Sequence, residues 1–139
     1  GPLKNRFMKY AKDKSVYVEF IGRLSYEKMV GLLCSCDIAI NPIKKGSAGS
    51  IINKVGDYAL SGLPVINTQE CEEYRDLVDQ YKCGINCEVE NAWDVAAAIE
   101  KLLMNKELRD KMGIQSRKLA DERFDRRKTY LSIVKLFEN

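Results

Sequence analysis

Histidine is absent from these 139 residues. Its absence excludes Ser-His-Asp and Cys-His catalysis, histidine metal ligands and a histidine general base within the chain. Long apolar runs are absent too, since none approaches the roughly 20 residues that a membrane span requires. No segment reads as a signal peptide, and Gly1-Pro2 in place of an initiator Met reads as the remnant of a protease cleavage. Repeats, low-complexity tracts and linkers are missing, so the length points to one domain or part of one. No two of the five cysteines (34, 36, 71, 83 and 87) form a Cys-x-x-Cys pair, and reduced thiols of a cytosolic protein account for them. A four-sulfur zinc site from Cys34, Cys36, Cys83 and Cys87 has the wrong spacing for a knuckle.

What is present is enough apolar material for a core, at 45% hydrophobic residues. The net charge of +3 hides an uneven spread. Residues 1–69 hold 10 basic and 5 acidic side chains, 70–100 hold 2 and 9, and 101–128 hold 10 and 5. The basic residues alternate with acids, as in Lys106-Glu107 and Arg109-Asp110-Lys111. That is the pattern of a solvated helix surface rather than the unbroken stripe of a nucleic-acid binder.

Short apolar runs alternate with helix-period segments, the signature of parallel β-α-β units. Val16–Ile21, Asp37–Asn41, Pro64–Asn67 and Gly84–Val89 read as buried parallel strands. Ser25 is placed to cap a helix with Tyr26, Met29, Val30 and Leu33 on one face, and Ser50 to cap another carrying Ile51, Ile52, Val55, Tyr58 and Ala59. Gly62 supplies a left-handed stop and Pro64 forbids continuation. Further helices are expected over Glu72–Gln80, after Asn91, over Lys106–Arg123 and over Arg126–Phe137, the last with Tyr130, Ile133, Val134 and Phe137 on one face. Leu3–Lys12 also reads as a helix, anchored by Phe7 and Tyr10. A helix with no strand ahead of it suggests a chain that starts partway through a βα unit. The expected fold is a three-layer, Rossmann-like α/β domain with at least four parallel strands and long C-terminal helices.

Parallel strands put their C-terminal loops on one edge, where ligands of such sheets bind. Four loops should converge there: Gly22–Ser25, Pro42–Gly49, Thr68–Glu70 and Glu90–Ala92. The second, Ile43-Lys44-Lys45-Gly46-Ser47-Ala48-Gly49-Ser50, is small, basic and opens into a helix, which suits an anion such as phosphate. It is neither a Walker motif nor Gly-x-Gly-x-x-Gly, so a mobile surface loop fits its composition equally well. Lys54 and Asp57 follow on neighbouring faces of that helix. Asp57 could accept from ribose hydroxyls, or simply form an exposed ion pair with Lys54.

Several strings here resemble the C-terminal domain of group 1 glycosyltransferases, retaining enzymes of the GT-B fold. They are Val16 to Gly22 followed by Met29-x3-Leu33, Cys36-Asp37-Ile38-Ala39-Ile40-Asn41-Pro42 and Asp57-Tyr58-Ala59-Leu60-Ser61-Gly62-Leu63-Pro64-Val65-Ile66. Ala97-Ala98-Ile99-x2-Leu102-Leu103, Leu108-Arg109-x2-Met112-Gly113 and the final helix from Asp125 continue the likeness. It covers about Val16 to Phe137, and order and spacing carry it rather than any one motif.

The resemblance implies that residues 1–139 form a single donor-nucleotide-binding domain, with the first strand and the N-terminal acceptor domain absent. The family's Glu-x7-Glu motif falls on Gly49 and Asp57, so ribose contact is carried to Asp57 while the first carboxylate is lost at Gly49. Lys54 with Asp57-Tyr58 matches a Lys-x-x-Asp/Glu-Tyr variant of that motif. The amides of Ser50 and Ile51 match the diphosphate cradle, and Gly22, Arg23 and Leu24 match the segment beside the nucleobase. The family's phosphate-clamping Arg and Lys follow an earlier strand, in a stretch that also reads Gly-Arg-Leu. Arg23 and Lys28 precede or open a different helix and are look-alikes of that pair.

A full-length enzyme of this kind would move a sugar from a nucleotide-diphosphate donor, with retention and without a metal or other cofactor. The acceptor would be a cell-envelope glycan or a lipid-linked molecule held by the N-terminal domain. Such an enzyme would be cytoplasmic, at the inner face of the membrane or peripherally associated with it, and would not bind nucleic acid. The fragment alone would bind donor nucleotide without transfer, and no catalytic residue is assigned to it. Two other readings stay open: a nucleotide-sugar epimerase or isomerase of the same fold, and a non-catalytic GT-B-like partner domain, for which Gly49 argues.

Overall fold

Three short runs, Ala39–Asn41 (β1), Val65–Asn67 (β2) and Gly84–Asn86 (β3), pair in parallel in that order. Each lies inside a longer run expected from the sequence. The computed structural model describes residues 2–47, 49–128 and 130–131. Its helices are α1 (Lys4–Asp13), α2 (Tyr26–Leu33), α3 (Asn53–Leu60), α4 (Glu72–Tyr81), α5 (Ala92–Met104) and α6 (Lys106–Leu119). A wider π turn, Ala120–Phe124, continues α6. Residues 126–128 and 130–131 are helical as expected, whereas Ile133, Val134 and Phe137 lie outside the described residues. Among the described residues no helix is long and apolar enough to cross a membrane.

The pleat of β2 divides the core. Val65 faces Val55, Tyr74, Leu77, Val78 and Leu119, which come from α3, α4 and α6. Ile66 faces the other way, onto Ala98 and Leu102 of α5 and onto Cys87. Helices therefore cover both faces of β2, all three of whose residues are buried. Residues Ile66 and Leu102 are wholly buried, and each stabilises the fold by about 1.5–3 kcal/mol through apolar burial.

The sheet has three strands among the described residues, not the expected four or more. Val16–Ile21 joins no ladder, and Tyr17 is 85% exposed. A strand is stabilised only by a neighbour, and this segment has none: β2 occupies one edge of β1 and Val16–Ile21 does not take the other. The N-terminal helices share that isolation. Phe7 and Tyr10 are 54% and 63% exposed rather than anchors, and no residue of α1 or α2 is buried. Met29, Val30 and Leu33 are half-buried, while Tyr26 is exposed.

Helix boundaries follow local chemistry. Ser25 caps α2 by accepting from the Lys28 amide at 3.4 Å, and Asn91 caps α5 by accepting from Trp93 and Asp94 at 3.1 Å each. Gly62 turns the chain out of α3 at φ +68°, a conformation that suits glycine. Ser50 does not cap α3. The β-branched Ile51 and Ile52 precede the helix, Ile52 keeps an extended backbone at ψ 149°, and α3 begins at Asn53 without a side-chain cap. The alternating charges of α6 form i,i+4 pairs, Lys106–Asp110 and Glu107–Lys111, both at 2.6 Å and exposed.

Burial has a consequence for alkaline stability. It pushes the Cys83 thiol from its ordinary 9 up to about 11, and raises the Tyr74 phenol as well. Both groups hold their protons in the folded chain at pH values where the unfolded chain has released them. Stability is therefore full below pH 9 and falls as pH rises through 11, by about 2–3 kcal/mol for Cys83. Urea midpoints measured from pH 8 to 11 should decline, and Cys83→Ala should make the decline shallower. A decline of equal slope in the variant would contradict this.

Candidate functional site

The loops leaving β1 and β2 meet at the C-terminal edge of the sheet. Thr68 pins the first of them: its hydroxyl accepts from the Ile43 amide at 2.8 Å and faces the carbonyls of Asn41 and Ile43. The Gly46 amide donates to a Glu70 carboxylate oxygen at 3.1 Å. The basic loop tip thus turns toward an acid of this same chain. Amides remaining for an external anion lie nearer α3. Among the described residues, no acceptor takes a hydrogen bond from the amides of Ser50 or Ile51.

Ile51 lines a cleft of about 650 Å3, and Ser50 directly precedes it in the chain. Its lining also includes Tyr26 of α2, Asn53 and Asp57 of α3, and Arg123 and Phe124 of the π turn. Asp57 is half-buried, and its carboxylate accepts from the Tyr26 hydroxyl at 3.0 Å. That hydrogen bond, with the carboxylate's charge behind it, raises the Tyr26 phenol above its ordinary range, so Tyr26 stays a donor. The five ion pairs among the described residues lie on α6 and the turns after it, so Asp57 is not paired with Lys54. An oriented carboxylate one turn inside a helix, with open amides on the residues that lead into it, can hold a polyol next to an anion.

Not every expected site residue reaches this cleft. Ile51 and Asp57 line it, and Gly49 and Ser50 lie directly before Ile51 in the chain. Lys54 is exposed on α3 and is not part of the lining. Gly22 and Arg23 line a separate apolar hollow with Leu3, Phe7 and Phe20, and Leu24 is half-buried. The expected convergence of four loops therefore fails at the first one, because Val16–Ile21 does not enter the sheet and cannot deliver Gly22–Ser25 to its edge. Tyr26, placed by the Ser25 cap, reaches Asp57 instead. Sequence reasoning missed Tyr26, Arg123 and Phe124. The sequence pattern places Tyr26 only on an apolar helix face, and no local pattern brings the end of α6 to the start of α3.

Gly49 is exposed, and a Cβ there would meet no atom within 4 Å. The carboxylate missing from this position is therefore not excluded by space. Gly49→Glu should leave the thermal midpoint within about 2 °C, as for an unstrained surface change. A drop of several degrees would show that the loop resists a side chain.

Comparison with protein families returned one informative result: a model described as "Glycosyl transferases group 1" matches residues 1–119. No curated protein and no solved structure matched the chain. The family match spans the sheet, α2 through α6 and the whole Ser50–Asp57 segment. The chain belongs to the group 1 glycosyltransferases, a family of sugar-transferring enzymes.

Proposed function

We propose that residues 1–139 are the donor-binding domain of a GT-B glycosyltransferase and that the cleft beside α3 takes a nucleoside diphosphate sugar. The observation that carries this reading is that Ile51 and Asp57 line one cleft, while no acceptor among the described residues takes the amide of Ile51 or of Ser50 before it. The diphosphate lies against those amides and the positive end of α3. Ribose hydroxyls donate to Asp57, and Lys54 adds positive charge from the exposed side of α3.

As the glycosidic bond to phosphate breaks, negative charge grows on the leaving diphosphate. Amides and cations fixed around it stabilise that charge by several kcal/mol in comparable sites, so neither a metal nor another cofactor is required. The acceptor, a cell-envelope glycan or lipid-linked molecule, is held by an N-terminal domain, and transfer retains the anomeric configuration. The whole enzyme is cytoplasmic and works at the inner face of the membrane. Gly49 favours one second reading: a domain that keeps the donor fold but lacks the carboxylate near the transferred sugar, and so binds without supporting transfer.

Calorimetric titration with UDP, GDP and ADP and their monophosphates tests the donor reading. One base should be preferred, with its diphosphate at least tenfold tighter than its monophosphate. Equal, weak binding of all six would overturn it.

A further inference from the structure

All three strands end on the same residue type. Asn41, Asn67 and Asn86 stand in register across β1, β2 and β3. Asn41 and Asn67 are buried, and a buried primary amide is costly unless it is hydrogen-bonded. Here the row is connected. The Asn41 side-chain amide donates to the Asn67 side-chain oxygen at 2.9 Å, and Asn67 donates to Asn86 at 2.9 Å. Asn86 in turn donates to Asp79 at 2.9 Å and to the Arg75 carbonyl at 3.0 Å. No buried side-chain polar atom among the described residues lacks a partner.

Gln69, wholly buried, links this row to the cleft. Its backbone amide donates to Asn67 at 3.0 Å, and its side-chain oxygen accepts from Asn41 at 3.3 Å. Its Nε2 donates to the Ser50 carbonyl at 2.6 Å, and among the described residues no other side chain bonds to 49–52. The Ser50 carbonyl and the Ile51 N–H belong to one planar, trans peptide unit, so they point in opposite directions. Holding the carbonyl toward the sheet therefore turns the Ile51 N–H away from it.

We propose that Gln69 is a positioning residue: by holding the Ser50 carbonyl it aims the Ile51 amide at the anion in the cleft, and its own hydrogen bonds to Asn41 and Asn67 hold it in place. This rests on the donor reading of that cleft. Connected amides polarise one another and hold one geometry, which an apolar row of equal volume would not supply.

Gln69→Met keeps the volume and removes both side-chain hydrogen bonds. Asn86→Ala breaks the far end of the row and serves as the control for lost stability. The preference for the nucleoside diphosphate over its monophosphate should fall about tenfold in Gln69→Met and stay unchanged in Asn86→Ala. Heteronuclear NOEs of the Gly49–Ile52 amides should fall in the first variant only, reporting loosened ps–ns motion without any ligand. Equal changes in both variants, or none in Gln69→Met, would overturn the positioning role. If the unaltered chain binds none of the nucleotides, the donor reading falls by itself and the NOE comparison decides for or against Gln69.

Discussion

Asp57→Ala should weaken binding of the preferred nucleoside diphosphate about thirtyfold while leaving inorganic pyrophosphate binding unchanged. Hydrogen bonds to a charged group contribute about 1.5–3 kcal/mol, and roughly 2 kcal/mol corresponds to that factor. The split between the two ligands follows from geometry. Asp57 lies inside α3, and the open amides lie before its first turn, at Ser50 and Ile51. A ribose needs both, whereas pyrophosphate needs only the amides. Because Tyr26 already donates to Asp57 at 3.0 Å, the carboxylate is oriented before any ligand arrives. Lys54→Ala should cost far less, since Lys54 is exposed and outside the cleft lining. Paired calorimetric titrations of the two variants measure the contrast. Equal losses in Asp57→Ala and Lys54→Ala would remove Asp57 from the ribose role.

The second large effect concerns how α6 is seated. Gly113 of α6 lies on the turn at Gly62, and a Cβ at Gly113 would sit 2.5 Å from the Gly62 carbonyl oxygen. That oxygen is backbone, fixed by the left-handed turn that ends α3, and cannot swing aside. The clash would lift α6 off two hydrogen bonds: Ser116 to the Leu63 carbonyl at 2.6 Å and Arg117 to the Leu60 carbonyl at 2.7 Å. Gly113→Ala should therefore destabilise the chain by about 2–3 kcal/mol, a large share of a small domain's stability. Gly56→Ala is the counterpart. Its Cβ would meet nothing within 4 Å, and α3 should gain roughly 0.5–1 kcal/mol from the better helix former. Urea unfolding of the two variants should move the midpoint in opposite directions. A neutral Gly113→Ala would mean that α6 does not rest on the Gly62 turn.

Elements whose signals are local were legible in the sequence. Short apolar runs ending in asparagine located β1 and β2, and Ser25, Asn91 and Gly62 marked boundaries that the structure keeps. Where the outcome depends on a distant partner, the pattern misleads. Val16–Ile21 has the composition of a buried strand, yet composition says nothing about which neighbour completes it. Ser50 has the chemistry of a cap, but two β-branched residues follow it and delay the helix. The candidate site divides along the same line. Ile51 and Asp57 were readable from their place around a helix start, whereas Gln69 looked like an ordinary loop residue until strand register put Asn41 and Asn67 beside it. Tyr26 and Arg123 come to one cleft through packing of elements far apart in the chain.

The most direct measurement follows backbone amide shifts of the 139-residue chain during titration with UDP, GDP and ADP. The preferred diphosphate should move the amides of Gly49–Asp57 and Tyr26, saturating together at one affinity, while α5 stays still. Shifts concentrated away from Gly49–Asp57, or none from any of the three in a folded sample, would contradict a donor site at the start of α3.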